Sequence, residues 1–570
     1  MHDLVIRGGK VVDGTGAAAR TADVAIDGDE IVAVGAVEDA GRQEIDADGA
    51  LVTPGWVDVH THYDGQATWD AEMRPSINHG VTTAVMGNCG VGFAPVRPGG
   101  EAFLIELMEA IEDIPGTALH EGIDWRWETF GEYIDALAEL PRTLDVGTTV
   151  PHAAVRAYVL GERCHDYDIS ADEIAEIASL MAAGVREGAL GVSTSRTVLH
   201  RSKHGFEPGT FSLDEELMAI ADEVAAVGRG LFQFVSDDTF QQDEWRWLNH
   251  LGEVGVPVTY TMAQEPKQPD GFRECLERNQ ASIDAGHLIA PQVPARPTGM
   301  LYGLQSSMHP FRTHPSFREI ADKPHAEIVA HFRDPGFKAR LLAEEPASKN
   351  RFVHFMATSF HQMFPLGDPT DYEPEPSMSV AAVAEREGRS PQEVVYDWML
   401  EDGGTAMMFM PLGSYVDQDH EAIRAMIEHP ASIFGLSDGG AHCGLICDAS
   451  MPTYMLTHWA RDRRRGPKIP VEVLVHKQTQ ATAQVYGLHD RGVLAPGKLA
   501  DVNVIDHDRL TLRKPHMIHD LPAGGRRLMQ HAEGYVATVK AGEVVLDHDR
   551  LTGARPGRTL KATDTGVSRV

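Results

Sequence analysis

Two histidines separated by one residue follow a short apolar segment near the N-terminus. Residues 57–65 read VDVHTHYDG, and Pro54 and Gly55 before them are typical of a turn that precedes a strand. In an extended chain, residues two apart point to the same face, so His60 and His62 would direct both imidazoles toward one metal ion. The alternative is a chance pair on a solvated loop, because the chain contains 28 histidines. The strand-like setting favours the metal site.

Two further candidate ligands follow other strand-like segments. Cys89 comes just after VTTAVMG, and Asp438 ends the segment ASIFGLSD. If these strands are parallel, their C-terminal ends meet at one edge, and both residues approach the histidine pair. A catalytic zinc site uses three protein ligands and leaves one position for water or substrate, and His60, His62 and Asp438 would form such a set.

A metal ion held by these residues would support hydrolysis of an amide. It lowers the pKa of a bound water to about 7 and polarises a carbonyl group. Asp438 could then take the proton of that water and pass it to the leaving nitrogen. Each residue also has a structural alternative. Asp438 stands in S-D-G-G, which is typical of a helix N-cap, and Cys89 could be a small buried apolar residue.

The elements that would position these residues alternate along the middle of the chain. In the helical segment ISADEIAEIASLMAAGVREG, Ser170 and Glu173 are typical of a capped helix start, and Gly188 is typical of the end. The strand before His60 is joined by seven others: VTTAVMG, LDVGTTVP, ALGVSTS, LFQFVS, VPVTYTM, HLIAPQV and ASIFGLSD. This alternation predicts an α/β fold, a (β/α)8 TIM-type barrel over residues 56–490, with its reactive residues at the strand ends.

Both ends of the chain are rich in short strand-like segments. Residues 1–55 and 491–560 are predicted to meet in one small sheet domain. Residues 294–380 interrupt the barrel pattern with many Pro, His and aromatic residues, which is typical of a lid or a substrate wall. Residues 561–570 are predicted to be a loose tail.

Composition restricts the partners and the compartment. The chain has 50 basic and 84 acidic residues, a net charge of −34, which disfavours nucleic acid and anionic membrane surfaces. We find no apolar run of about 18 residues. The five cysteines are an odd and sparse set, unlike a secreted disulfide framework, so a reducing cytoplasm is expected. A small-molecule substrate is the expected partner, and homo-oligomer formation is left open.

The sequence resembles the amidohydrolase superfamily, and within it the N-acyl-D-amino-acid deacylases. The resemblance is carried by DLVIRGGKVVDGTG, PGWVDVHTHYDGQATWD, GVTTAVMGNCGVGFAP, PHAAVR, GALGVSTS, EPGTFSLDEEL, GLSDGG, RGVLAPGKLADVNVID and TGARPGRTL. It implies that the two chain ends form a small β-sandwich and that zinc-dependent hydrolysis cleaves an N-acyl amide. It also implies that His60 and His62 bind one metal ion, that Cys89 binds or bridges a second, and that Asp438 is both ligand and general base.

The resemblance fails on the fifth and sixth strands, where the deacylases have histidines. Here Phe234 stands near the first of these positions and Met262 or Ala263 near the second, and Gln264 replaces a lysine. We therefore predict one divalent ion per chain, most simply zinc, with Cys89 or water completing the set of His60, His62 and Asp438. Candidate replacement oxygen ligands at these strand ends are Asp237, Asp238 and Glu265.

Substrate contacts are expected at the same edge. Arg196 lies closest to a strand end in the loop SRTVLHRSKHG, whose other basic residues read more simply as a solvated loop, and an arginine there could bind an anion. His152, His442 and Asp448 are further candidates, with capping or packing as the alternative. The leading function is metal-dependent hydrolysis of a C–N bond. The alternatives are a catalytically silent binding protein and another metal-assisted reaction, such as ester or carbamate hydrolysis or decarboxylation.

Overall fold

Strands from both ends of the chain form one nine-stranded sheet in the structure, a computed structural model that describes residues 1–237, 239, 241, 243–563 and 566–570. The two ends are joined where Leu51–Pro54 pairs antiparallel with Val502–Ile505. The nine strands are His2–Val11, Arg20–Asp27, Glu30–Gly35, Gly41–Asp46, Leu51–Pro54, Val502–Ile505, Tyr535–Lys540, Glu543–Asp547 and Arg550–Leu551. The C-terminal strands therefore complete the sheet that the N-terminal strands begin.

One face of this sheet carries an apolar core, because every second residue of its strands points to the same face. The buried residues pack into a single cluster that includes Leu4, Ile6, Val24, Ile26, Val502, Val504 and Val539. Burial of this face holds the N-terminal and C-terminal strands in one unit.

Short parallel strands supply the segments that carry the candidate ligands. Three of them form one sheet, namely Trp56–Asp58, Val81–Met86 and Asp145–Thr148. Six form another, namely Val150–Pro151, Gly191–Arg196, Leu231–Ser236, Val258–Thr261, Ile289–Val293 and Ile433–Phe434. Among the described residues these two sheets do not close into one continuous ladder, but a parallel bridge joins Thr61 to Gly439.

The parallel strands are covered by helices, as their uniform burial indicates. Every residue of Val81–Met86 is buried, which is typical of a strand packed on both faces. The predicted helix after Ser170 is confirmed: Ala171–Glu187 begins with a capping box between Ser170 and Glu173 and ends at Gly188. This arrangement is an α/β fold in which the C-terminal ends of the parallel strands share one side of the molecule.

The α-helices differ widely in length, and a π-helix, Met455–Asp462, follows the last parallel strand. Among the helices of the described residues, none combines the length and apolar character needed to cross a bilayer. The α-helices are Glu101–Glu112, Gly116–Gly122, Phe130–Ala138, His152–Leu160, Ala171–Glu187, Asp214–Val227, Glu244–Glu253, Gly271–Asp284, Pro315–Arg318, His325–Arg333, Pro335–Leu342, Arg351–Thr358, Val380–Glu387, Pro391–Met399, Glu421–Glu428, Met451–Tyr454, Val471–Gln478 and Gln480–Val485.

The segment that interrupts the barrel pattern has its own apolar core. Its helices pack around a three-stranded sheet of Gly299–Tyr302, Phe364–Pro365 and Met408–Pro411. The core continues to Met410, beyond residue 380, where the sequence pattern placed the end of the segment. The strand Met408–Pro411 explains this difference, because it pairs with Gly299–Tyr302 and draws the later chain into the same unit.

Residues 561–563 and 566–569 form paired strands, where the sequence predicted a loose tail. Leu560–Thr563 pairs antiparallel with Gly566–Arg569, and the Arg569 side chain binds the buried Asp145 carboxylate. This ion pair ties the terminus to the parallel strands. The remaining short strand pairs are Arg201–Ser202 with Gly205–Phe206, Thr511–Leu512 with Ala532–Glu533, and His516–Leu521 with Gly525–Met529.

Candidate metal centre

The two histidines of the H-x-H pair are buried and oriented by different partners. Nδ1 of His60 lies 2.6 Å from the side-chain oxygen of Gln292, so Nδ1–H donates and Nε2 keeps its lone pair. Nδ1 of His62 lies 3.5 Å from Oε1 of Glu112. His60 can therefore present Nε2 as the ligand atom, the usual result of an acceptor bound to the other nitrogen, whereas Nδ1 of His62 has no hydrogen-bond partner and its Nε2 lies near Asp438.

Asp438 lies on the Nε2 side of both rings. Its Oδ1 is 3.5 Å from Nε2 of His60 and 3.8 Å from Nε2 of His62. The backbone fixes this position, because the Asp438 N–H donates to the carbonyl oxygen of His60 and the His62 N–H donates to that of Gly439. In the described chain the next helical turn begins only at Asp448, so Asp438 is not the helix N-cap of the alternative interpretation.

Cys89 completes the cluster from the second parallel strand. Its Sγ lies 3.2 Å from Nε2 of His60, and its backbone N–H donates to the side-chain oxygen of Gln233. Ligand atoms of His60, His62 and Cys89 all lie within 4.8 Å of one another. The four predicted ligands are thus brought together, although most of the chain separates Cys89 from Asp438.

Three residues of this site have a left-handed backbone conformation. Cys89 has φ of 57°, Asp438 of 47° and His442 of 50°, a region that residues other than glycine rarely occupy. Such conformations cost of the order of 1–3 kcal/mol each and persist where the surroundings enforce them. Their location here indicates that side-chain placement at the strand ends takes precedence over local backbone preference.

Several buried acids surround the histidines. Burial raises the pKa of Asp438 and of Asp58 to about 7, and raises that of Glu112 well above its ordinary value. Burial also lowers the pKa of His60 to about 4, so this ring is neutral at pH 7. Neutral imidazoles beside uncompensated carboxyl groups are costly to bury, and a divalent cation among them would offset that cost.

Sequence reasoning missed three polar residues that contact the ligands, namely Glu112, Gln233 and Gln292. Glu112, the last residue of Glu101–Glu112, lies 3.5 Å from His62 and 3.4 Å from His442, and its Oε1 has no hydrogen-bond partner. Gln233 could have been found from strand alternation, because Phe232 and Phe234 on either side face Trp247 on the helical layer. Glu112 offers no comparable sequence signal.

The fifth and sixth strand ends contribute no ligand to the cluster within the described residues. The Phe234 ring stacks on Tyr260, away from the site, and Met262 is buried. Both oxygens of Asp237 accept hydrogen bonds, from the Thr197 hydroxyl and the Val198 N–H. Glu265 also lies outside the cluster, and Asp238 falls outside the described residues.

The three predicted substrate contacts have different surroundings in the structure. Both ring nitrogens of His152 are engaged, one by Thr194 at 2.8 Å and one by Glu216 at 2.9 Å. The guanidinium of Arg196 pairs with Glu244 at 2.7 Å, so this cation is already compensated. Only His442 lies beside the centre and is partly exposed.

Asp448 is engaged away from the centre, whereas His200 of the basic loop lies near it. Asp448 pairs with Arg296 at 2.8 Å, which commits its carboxylate to a buried ion pair. His200, from the basic loop, contacts Ser195 and the buried Glu207 at 2.9 and 3.0 Å. Ser195 and Glu207 both lie beside Gly90, the residue after Cys89, and the His200 ring is close enough to Asp438 to interact with it electrostatically.

The chain is similar to known proteins over nearly its whole length. The chain is 26% identical to a D-aminoacylase of Alcaligenes xylosoxydans xylosoxydans over 98% of each protein. It is 24% identical to an N-acyl-D-aspartate deacylase of the same organism, over 99% of this chain and 95% of that protein.

Solved structures share the fold. A D-aminoacylase structure described as having a binuclear metal centre matches with a TM-score of 0.65 at 23% identity, covering 98% of this chain and all of that chain. The N-acyl-D-glutamate deacylase of Bordetella bronchiseptica, complexed with zinc and a phosphonate inhibitor, gives the same TM-score at 22% identity, with the same coverage. Residues 43–546 match the Amidohydrolase family. The chain therefore belongs to the amidohydrolase family and is a hydrolase of C–N bonds.

Proposed function

We propose that the protein is a metal-dependent hydrolase that cleaves the amide bond of an N-acyl amino acid or a similar small molecule. One observation carries this proposal: Nε2 of His60 and His62 and Oδ1 of Asp438 converge, with Cys89 3.2 Å from His60. The similarity to D-aminoacylase and to two N-acyl-D-amino-acid deacylases supports the substrate class.

The proposal includes the architecture expected from the sequence. The two parallel sheets would form one (β/α)8 barrel over residues 56–490, closed near the Thr61–Gly439 bridge. Residues 1–55 and 491–560 would form a β-sandwich around the nine-stranded sheet. In such a barrel the strand ends form the reactive face, which accounts for the position of all four candidate ligands.

The residues present fit a divalent ion. Nδ1 of His62 and Oε1 of Glu112 are buried without a hydrogen-bond partner, and the donor set of imidazole, thiolate and carboxylate suits zinc. His60, His62 and Asp438 would hold one ion, with Cys89 beside it. A bound ion of this kind supplies Lewis acidity, which polarises the acyl carbonyl and lowers the pKa of a bound water to about 7.

Asp438 is the proposed general base. Its carboxylate takes a proton from the attacking water and delivers it to the leaving nitrogen as the C–N bond breaks, giving a carboxylic acid and an amine. Without a metal ion, burial raises the pKa of Asp438 to about 7, and a bound cation would lower it, so that the carboxylate is ionised and able to accept a proton near neutral pH. His442, partly exposed beside Glu112, is the proposed substrate contact.

A substrate panel tests the proposal. Chelator-treated protein, zinc-reloaded protein and the Asp438→Asn variant are assayed on N-acyl-D- and N-acyl-L-amino acids, simple amides and esters. We expect zinc-dependent release of amine from at least one N-acyl amino acid, and none from the variant. Full activity after chelation, or turnover of esters alone by the zinc-loaded protein, would contradict the proposal.

A further inference from the structure

A second group of potential ligands lies outside the site described above. Oε2 of Glu373 is 3.0 Å from Nε2 of His458 and 3.8 Å from Nδ1 of His420. These three ligand atoms lie within 4.8 Å of one another, and the side chains of Glu373, His420 and His458 are 2%, 0% and 12% exposed. We propose that Glu373, His420 and His458 form a second divalent-metal site that takes a zinc-class ion and stabilises the fold.

The tautomer of His420 carries the first argument. Its Nε2 lies 3.0 Å from the carbonyl oxygen of Tyr372, which can only accept, so the ring proton is on Nε2. Nδ1 then directs a lone pair toward the Glu373 carboxylate, and this buried atom has no hydrogen-bond partner. Oε2 of Glu373 accepts a hydrogen bond from Nε of Arg463 at 3.2 Å, which holds this carboxylate oxygen opposite the lone pair of Nδ1. A cation between the two groups would remove their repulsion.

The helix that carries His458 gives an independent argument. Met455–Asp462 is a π-helix, a rare conformation that is frequently found at functional sites. The His458 ring stacks on Tyr454, and its Nε2 also lacks a hydrogen-bond partner. The π-helix therefore places a second imidazole nitrogen next to the Glu373 carboxylate.

A cavity gives access to the cluster, and Glu373 contacts both imidazoles in addition to its ion pair with Arg463. Arg463 also pairs with Glu421 at 2.9 Å, and Glu421 pairs with Arg424 at 2.8 Å. Glu373 and His458 line a cavity of about 540 Å³, which gives an ion a route to the site. Two imidazoles and one carboxylate are a common zinc donor set and leave a position for water.

This site shares no residue with the proposed catalytic centre and goes beyond the proposed function. It would connect Glu373, which lies within the interrupting segment, to His420 before helix Glu421–Glu428 and to the π-helix. The expectation of one ion per chain then applies to the catalytic centre alone, and the full chain would bind two.

The experiment counts zinc by equilibrium dialysis of chelator-treated full-length protein against a zinc buffer. The wild type is compared with a double variant, His60→Ala with His62→Ala, and with a triple variant that adds His458→Gln. We expect two, one and no bound ions. As a matched control, His507→Gln is added to the double variant instead, because His507 contacts the same π-helix through the Leu456 carbonyl but lies outside the cluster. This control should keep one ion.

Stability gives a second readout. Zinc should raise the apparent unfolding temperature of the double variant by several degrees and leave that of the triple variant unchanged, because only the former has an ion to bind in its folded state. A double variant that binds no zinc, or a triple variant that keeps its ion, would overturn the proposal. A wild type that binds one ion and loses it only with His458→Gln would instead contradict the catalytic centre.

Discussion

The ring of His60 and the amide of Gln292 form a hydrogen bond of 2.6 Å between Nδ1 and Oε1. The amide is itself oriented, because its Nε2 donates to the Tyr486 hydroxyl, which donates to the carbonyl of Val59. This chain of hydrogen bonds returns to the strand that carries the H-x-H pair. It fixes the tautomer and rotation of His60 before any ligand binds.

Replacing Gln292 should weaken metal binding without unfolding the protein. We expect Gln292→Leu to lower zinc affinity by about 10- to 100-fold, because the acceptor that fixes Nδ1–H of His60 is lost. Gln292→Glu keeps an acceptor of the same length and should retain most of the affinity. Competition with a chromophoric chelator measures both, and equal affinity in the wild type and Gln292→Leu would refute the orienting role.

Removing the carboxylate of Asp438 should abolish turnover. We expect Asp438→Asn to lower kcat by at least about 10²- to 10⁴-fold, the usual contribution of a positioned base. Because Asp438 lies at the ends of the strands, its replacement should leave the circular dichroism spectrum unchanged. The control is Asp520→Asn, since Asp520 pairs with Arg527 near the surface. Near wild-type kcat in Asp438→Asn would remove this residue from the mechanism.

The rate should depend on pH through the same carboxyl group. Burial raises the pKa of Asp438 to about 7 in the metal-free protein, and a base acts only when deprotonated, so kcat/KM should fall as the pH drops through the pKa that this group has in the zinc-loaded enzyme. A bound cation favours the carboxylate and would move this limb to lower pH. The pH profile of zinc-loaded protein measures the limb. A rate that rises as the pH is lowered would contradict this assignment.

The sequence contains enough information to bring His60, His62, Cys89 and Asp438 to one side of the molecule. Strand periodicity sets the direction of the histidine pair, and parallel strands place their C-terminal ends together. The capped helix after Ser170 was also predictable, because its signals are local. Local signals and a simple topology thus predict most of the cluster.

Long-range packing explains what was not predicted. Whether Arg196 faces substrate depends on Glu244, which pairs with it from a helix 48 residues later. His152 is occupied in the same way by Glu216, and Glu112 reaches the centre only because its helix docks beside His62. Neither residue type nor spacing specifies such partners. The role of a basic residue in a loop after a strand is therefore harder to predict from sequence than that of a metal ligand at the strand end itself.

One buried carboxylate joins the C-terminal segments to the parallel strands. Asp145 begins the strand Asp145–Thr148, and its Oδ2 accepts from Arg491 at 2.7 Å, Lys540 at 2.7 Å and Arg569 at 3.0 Å. We expect Asp145→Ala to destabilise the protein by about 3–5 kcal/mol, because it leaves buried cations without their common partner.

Urea denaturation measures the change, and the control is Asp135→Ala, whose exposed carboxylate pairs with Lys561 and should contribute less than about 1 kcal/mol. A variant of Arg569 tests whether the C-terminal residues contribute to stability through Asp145. Arg569→Ala removes one of the three cations, so it should cost less than Asp145→Ala and should add little to it in the double variant. Fully additive losses would show that Asp145 and Arg569 act independently and that the terminus is held by its strand pairing alone.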